Sequence, residues 1–287
     1  MTRTGPRSHT EPRPAARART DGRRRTAAAV ALCAFCFLSL AWAGAAVALD
    51  VFTLWRLPEA PLRITAGDRV DYLGTSIEAG RRHVEALRIQ CVGETDAAWL
   101  IEILPLDETP DGHVPVPGEG LRLAIDRALA GRAGALVDHV LEVAQWRDGH
   151  GEVLPREQWR DDPLTGAFLE AGFVPDTREE QGQTTRVVGE ADLLCAQFTL
   201  SAGDTTRIDL PRGEMIQIHR REISAAVHDT IPFLGLAYAA ERAETRSELV
   251  PAGRRAPPPP SLRVEIMELL DFGADATVTL TGVESSF

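Results

Sequence analysis

Residues 84–106, with the sequence VEALRIQCVGETDAAWLIEILPL, carry the pattern that decides the fold. Apolar and more polar side chains alternate along residues 84–92, so that Leu87, Ile89 and Cys91 share one face. A polar turn at residues 93–96 follows, and the apolar run 99–106 comes directly after it. Alternation with a period of two indicates a strand, and two such runs around a short polar turn indicate a β-hairpin.

Similar strand-like runs recur on both sides of this hairpin. They occupy residues 69–73, 185–188, 193–200, 205–210, 215–219, 222–227, 236–240, 245–250, 262–270 and, as a last short run, 276–280. Ten or more short strands separated by turn residues are typical of an antiparallel, mainly β protein. We therefore expect a curved antiparallel sheet or half-barrel with few short helices, preceded by one N-terminal hydrophobic helix.

Other segments are ambiguous or irregular. Apolar residues in 121–146 fit both a helical and a strand period, with Gly131 and Gly134 interrupting them, and periodicity alone does not separate the two for short runs. We expect a loop insertion near 150–183, with at most one short helix in 155–183, and a turn at 271–273. The prolines of 251–260 predict an exposed, extended loop.

The N-terminal part predicts the compartment. Residues 1–25 are rich in Arg and Pro and are expected to be disordered. The uncharged apolar run 26–49 is long enough to cross a membrane as a helix. It also fits a signal peptide, because Ala46-Val47-Ala48 matches a small-residue cleavage pattern. Signal peptide and uncleaved signal anchor both remain open, and both place the Arg-rich end inside the cell and residues 50–287 outside it.

The charge balance limits the classes of partner. The chain carries 31 basic residues, all Arg, against 42 acidic ones, which gives a formal net charge of −11. Eight of those Arg lie in the first 48 residues with only two acidic residues, so the exported part is even more acidic. Nucleic acids and anionic membrane surfaces favour basic patches. The composition therefore argues against a nucleic-acid partner.

No sequence motif for catalysis, for a metal or for a cofactor is present. The chain lacks a nucleophile elbow, a zinc-protease helix, a phosphate-binding loop and a dinucleotide fingerprint. Of the seven histidines, only His219 and His228 lie near each other, and a nine-residue separation does not match the usual metal-ligand spacing. The carboxylate pairs Asp161-Asp162 and Glu179-Glu180 are adjacent in sequence, so their side chains usually diverge. We predict no catalytic residues, no metal site and no cofactor.

Two cysteines lie in the exported part, Cys91 and Cys195. In an oxidising compartment they are candidates for a disulfide. The alternative is that both are buried free thiols. The disulfide is expected only if the two strands that carry them are adjacent.

Several short motifs resemble exported bacterial half-β-barrel proteins similar to the periplasmic lipoprotein carriers and the LppX-like lipoproteins. The motifs are AGDRVDY at 66–72, VGE at 92–94 with AWLIE at 98–102, VVGEADLLCAQF at 187–198, IPFLGL at 231–236 and MELLDFG at 267–273. Their order along the chain is the same as in that family. The resemblance implies a curved sheet whose apolar face holds an acyl chain or another hydrophobic ligand.

These observations together predict an extracytoplasmic, non-enzymatic β protein, periplasmic or in the cell envelope, that binds a lipid or another hydrophobic ligand. It would be secreted, or anchored in the membrane through residues 26–49 if that helix is uncleaved. The alternative is a membrane-anchored structural or interaction protein with a self-packed sheet. An open apolar concavity of several hundred Å³ would distinguish the first reading from the second.

Overall fold

The computed structural model describes residues 63–110, 112–129, 139–159, 175–211, 213–250 and 257–283. All of them belong to one compact unit, Ala46–Phe287. The expected disordered segment 1–25 and the apolar run 26–49 lie outside the described residues. Within the described ranges, no helix has the length and apolarity needed to cross a membrane.

In the described part of the chain, twelve antiparallel strands form one curved sheet that does not close into a barrel. The strands are β1 (Arg69–Glu78), β2 (Arg81–Glu94), β3 (Ala98–Thr109), β4 (Gly112–Pro115), β5 (Gly120–Asp126), β6 (Val140–Arg147), β7 (His150–Val153), β8 (Thr177–Val188), β9 (Ala191–Leu210), β10 (Gly213–Val227), β11 (Leu236–Val250) and β12 (Ser261–Gly273). A 3-10 helix, Arg127–Leu129, follows β5, and a four-residue helix, α1 (Arg156–Trp159), follows β7. The expected mainly β fold with few short helices is confirmed.

The strand order across the sheet is β7-β6-β5-β3-β2-β1-β12-β11-β10-β9-β8, with β4 paired to β3. Each half of the chain is therefore an up-and-down meander, and β1 and β12 join the two halves in the middle of the sheet. β7 and β8 follow each other in the chain but form opposite edges. β8 comes into contact with β12, although three strands lie between them in the strand order. The sheet is therefore strongly curled on that side.

The main core covers one face of the sheet at one end of the strands. It takes Tyr72 from β1 and Leu87 and Ile89 from β2, and Tyr72 and Leu87 are direct cross-strand partners. Trp159 of α1 is also buried in this core. Because the residues of β2 alternate between the two faces, Leu87, Ile89 and Cys91 enter the core and the even-numbered residues of the strand face the other side.

The loop between β10 and β11 closes that end of the core. Its buried side chains are Ile231, Phe233 and Leu234. Phe233 exchanges two backbone hydrogen bonds with Arg63, with N···O distances of 2.9 and 2.7 Å. Gly235 has a φ of +68°, and a Cβ there would lie 2.9 Å from the backbone oxygen of His228. Glycine is therefore required where this loop turns back into β11.

Three strands each unite two runs that the sequence prediction keeps apart. The runs 193–200 and 205–210 form one strand, β9, and β10 and β11 likewise each unite two expected strands. The sequence prediction placed breaks at Gly203 and at charged residues such as Arg220 and Glu244. In the structure Gly203 pairs with Arg220, and Arg220 pairs with Glu244. Polar residues continue a strand here because both strand neighbours supply backbone hydrogen bonds and the side chains reach water.

Other expectations need correction or refinement. Residues 271–273 are not a turn but pair with β1 inside β12. Residues 276–280 are not a strand. The expected irregular segment 155–183 contains α1 and also the start of β8 at Thr177. In the ambiguous region 121–146, residues 121–126 belong to β5, Arg127–Leu129 form the 3-10 helix and residues 140–146 belong to β6, whereas 130–138 lie outside the described residues. In the expected loop 251–260, residues 257–260 lie outside any strand, and 251–256 are outside the described residues.

Candidate functional site

Five apolar side chains from the three central strands lie together on the sheet face opposite the main core. Ile77 of β1 pairs directly with Val264 of β12. Thr75, on the same face of β1, pairs with both Val84 of β2 and Ile266 of β12. Directly paired residues project from the same face of a sheet. We call this surface the apolar patch: Ile77, Val84, Leu262, Val264 and Ile266.

The apolar patch is open to solvent. Ile77 is 37% exposed, and Val84 and Leu262 are each 44% exposed. Val264 and Ile266 are partly buried. Single exposed apolar residues are ordinary, and it is large contiguous apolar patches that mark interaction surfaces.

A charged cavity of about 470 Å³ lies beside the patch, towards the β8 edge of the sheet. Its lining includes Arg220 and Glu222 of β10, Arg242 and Glu244 of β11, and Asp176 just before β8. Arg242 pairs with Val264 of the apolar patch, so the cavity and the patch share one face. Most of the residues that line it are of charged or polar types. It therefore differs from the apolar concavity that the sequence analysis named as the mark of a lipid carrier.

Two of the acidic groups in this cavity are already engaged. Glu244 accepts a hydrogen bond from Arg246. That bond, with the charges of Arg246, Arg242 and Arg220, holds the pKa of the Glu244 carboxyl below its usual range. Asp176 accepts a hydrogen bond from the backbone N–H of Gly203 at 2.8 Å. These carboxylates are held in place by hydrogen bonds within the chain.

Arg220 and Arg242 differ from the other arginines around the cavity. Arg221, whose side chain lies on the opposite face of β10, forms a two-pronged ion pair with Glu241. Arg220 and Arg242 are exposed. Neither has a hydrogen-bonded partner or a carboxylate within 4.0 Å among the residues that the structure describes. Both guanidinium groups are thus available to an anion.

A buried polar network lies on the same face of the sheet, under the C-terminal segment. The Glu102 side chain is fully buried and forms an ion pair with Arg122, Nη2···Oε1 2.7 Å. Glu102 also accepts hydrogen bonds from Gln90 Nε2 at 2.9 Å and from the backbone N–H groups of Thr279 and Leu280 at 3.0 and 3.2 Å. A buried carboxylate requires such partners to offset its lost hydration.

The C-terminal segment that covers this network, residues 274–283, is called the strap below. Leu280 is 1% exposed and packs with Leu104, Ala144 and Trp146 in a second, smaller core. Trp146 Nε1 donates to the backbone oxygen of Thr281 at 2.8 Å, and Arg122 donates to the backbone oxygen of Leu280. Polar side chains of the sheet thus satisfy backbone groups of the strap. The residues of this network hold the strap against the sheet and do not line an open site.

The two candidate cysteines lie apart in the sheet. Cys91 is on β2 and Cys195 on β9, with β1, β12, β11 and β10 between them. Both are buried free thiols in the structure. The condition set for a disulfide, adjacent strands, is not met. Burial raises the pKa of the Cys91 thiol to about 11 and also raises the pKa of the Cys195 thiol.

The histidines and carboxylate pairs are not brought together into a reactive arrangement in the described part of the chain. His219 Nδ1 lies 3.1 Å from Thr245 Oγ1, and His228 Nδ1 lies 2.8 Å from Thr230 Oγ1. Glu180 pairs with Arg178 at 2.8 Å, whereas Asp161 and Asp162 lie outside the described residues. Within the described ranges, no group of three or more His, Cys, Asp or Glu could hold a metal ion.

Sequence reasoning found the faces of β2 but not the site that they help to form. It placed Val84 and Ala86 opposite Leu87, Ile89 and Cys91, as the structure has them. It did not predict that Val84 lies on the same face as Ile266 of β12, because β1, which joins them, and β12 are almost two hundred residues apart in the chain. It also missed the charged cavity, since its breaks at Gly203, Arg220 and Glu244 fell on the residues that line it.

Comparisons with known proteins give little further information. No family model and no curated protein matches the chain. Among solved structures, the chain is similar to a DUF1329 family protein from Desulfovibrio piger, with 10% sequence identity and a TM-score of 0.27. That match covers 80% of this chain and 91% of the other. A similarity at this level does not assign the chain to a family.

Proposed function

We propose that this chain is an extracytoplasmic β protein that acts by binding a lipid or another hydrophobic ligand, and not by catalysis. The observation that carries the proposal is the apolar patch on the central strands β1, β2 and β12. Ile77, Val84 and Leu262 are exposed on this face, whereas the same three strands supply Tyr72, Leu87 and Met267 to the main core from their other face. Leaving apolar surface in water costs about 25 cal/mol per Å². A ligand that covers the patch would recover that free energy.

The extracytoplasmic part of the proposal rests on the sequence. An Arg-rich segment precedes the apolar run 26–49, and the remainder of the chain is strongly acidic. That order of charge and apolarity is typical of a protein exported across a membrane.

Native mass spectrometry of the purified full chain, followed by organic extraction of what co-purifies, tests the proposal. We expect a bound hydrophobic molecule in the wild type. Val84→Asp places a charge in the apolar patch and should abolish the bound mass. Val153→Asp is the matched control, because Val153 is 45% exposed and lies on β7, four strands from β2 in the sheet.

The alternative is a membrane-anchored structural or interaction protein. It is favoured by the main core, in which the other face of the sheet is covered by residues of the chain itself. A wild-type mass without ligand, unchanged when lipids are offered, would contradict the proposed function and favour this alternative. The apolar patch would then be the first surface on which to map a protein partner.

A further inference from the structure

The last part of β9 forms an open edge of the sheet. β8 pairs with β9 only as far as Ser201, which lies opposite Thr177. Beyond Ser201, β9 has β10 on one side and, in the described part of the chain, no strand on the other. We call residues 204–210 the open edge, and all of them except Ile208 are exposed. Unpaired backbone groups at the edge of a sheet can pair with a strand of another chain.

The hydrogen bonds just before the open edge show which of its backbone groups point outward. The Ser201 carbonyl accepts from the backbone N–H of Asp176, and the Gly203 N–H donates to the Asp176 carboxylate, both at 2.8 Å. Ser201 and Gly203 therefore direct their backbone groups away from β10. Every second residue of a strand does the same, so the odd-numbered residues from 205 to 209 also point outward. Among the described residues, none bonds to these outward groups.

The charges of the open edge are incompletely paired within the chain. Asp209 lies opposite Glu214 of β10, a like charge, and has no cationic group within 4.0 Å in the described ranges. Arg207 contacts Glu214 at 3.4 Å, and its side chain is 68% exposed. An ion pair as exposed as this contributes little to stability. A partner strand that brings an opposite charge to each position would stabilise both Arg207 and Asp209.

A second copy of the same edge supplies both charges in one antiparallel register. With Ile208 of one copy opposite Ile208 of the other, each Arg207 lies opposite an Asp209, and each Thr206 lies opposite a Leu210. Arg207 and Asp209 carry outward backbone groups, so each such pair can exchange two backbone hydrogen bonds. Centring the pairing on Arg207 or on Asp209 instead would place like charges directly opposite each other, which is destabilising.

We propose that two copies of this chain associate through the open edges of β9, antiparallel and centred on Ile208. The arrangement is twofold symmetric, so each contact occurs twice. It continues the sheet of one copy into the other and joins the two cross-strand rows of Ile208, Met215 and Leu249 on one face. The contact is smaller than the interfaces of stable complexes, so the dimer is weak and depends on concentration. It is independent of the ligand proposed above.

Sedimentation velocity of the purified full chain, over a range of concentrations, tests the inference. We expect the average mass to rise with concentration from that of the 31.2 kDa monomer towards twice that value. Arg207→Asp and Asp209→Arg each place like charges opposite one another at both cross-strand pairs. Each variant should weaken the dimer at least about tenfold, which corresponds to about 1.4 kcal/mol over the two pairs.

Two combinations restore the opposite charges and exclude a general loss of folding. The chain that carries both Arg207→Asp and Asp209→Arg should dimerise like the wild type. An equimolar mixture of the two single variants should also dimerise, because one copy then offers two carboxylates and the other two guanidinium groups. Glu248→Arg is the matched control, since Glu248 is exposed on β11, on the other side of β10. Its dimerisation should equal that of the wild type.

Each other result overturns the inference. A wild type that stays monomeric at every concentration would show that the open edges do not associate. Dimerisation that survives both single variants, or that is lost equally in Glu248→Arg, would place the contact elsewhere on the chain. A mixture of the single variants that stays monomeric would refute the register in which Arg207 faces Asp209.

Discussion

Replacing Arg122 with Met should destabilise the protein far more than the loss of a surface charge. Arg122 is 11% exposed and is the ion-pair partner of Glu102, whose side chain is fully buried. It also stacks on the Trp146 ring at 5.0 Å and donates to backbone oxygens of Leu280 and Val283. The methionine side chain fills a similar volume but offers neither a positive charge nor a hydrogen-bond donor.

The size of the loss follows from what remains around Glu102. Removing one partner of a buried pair costs about 3–5 kcal/mol, because the other charge stays buried without compensation. Gln90 and the amides of Thr279 and Leu280 still donate to Glu102 in the variant. We therefore expect a loss near the lower end, about 3 kcal/mol.

Urea unfolding at pH 7, followed by tryptophan fluorescence and circular dichroism, measures the loss. Arg207→Met is the matched control, since the Arg207–Glu214 pair is exposed and should contribute no more than about 1 kcal/mol. Combining Arg122→Met with Glu102→Gln should cost less than the sum of the single variants, by about 1–3 kcal/mol. If Arg122→Met costs less than about 1 kcal/mol, then the strap does not enclose the pair as described and the reasoning fails.

Three further predictions concern the strap and the thiols. Leu280→Ala should lower the free energy of unfolding by about 2–5 kcal/mol, because Leu280 is 1% exposed and packs in the second core. Val278→Ala is the control, since Val278 is 54% exposed, and it should change the free energy of unfolding by less than about 0.5 kcal/mol. Similar values for the two variants would contradict the second core. The folded Cys91 thiol ionises near pH 11 and an unfolded thiol near pH 9. The unfolded state therefore binds fewer protons between these values, and stability should fall as pH rises from about 9 to about 11. Cys91→Ala should flatten that part of the stability profile. Without reductant, residues 50–287 should take up two alkyl groups after unfolding and almost none before it, and an uptake of none after unfolding would reveal a disulfide.

The alternating runs around 84–106 and 262–270 were sufficient to predict the type of fold and the buried face of β2. Alternation is a local property, since each strand exposes every second residue to the core whatever its partner is. The same local reasoning misread the long strands, because Gly203 and Glu244 resemble turn or surface residues when their partners are unknown. It also read 276–280 as a strand, although the bonds that hold this segment come from side chains of Gln90, Glu102 and Arg122.

The sequence by itself determined the antiparallel β character, the acidic charge and the absence of recognised catalytic motifs. Tertiary structure decided which strands are neighbours. The pairing of β1 with β12 brings Ile77 beside Val264, and the pairing of β10 with β11 brings Arg220 beside Arg242. The pairing of strands distant in the chain depends on long-range hydrogen bonds and shared burial, and neither leaves a periodic trace in the sequence. For that reason the apolar patch is visible only in the folded chain. The charged cavity was missed for another reason, because the expected breaks in β9, β10 and β11 fell on its lining residues.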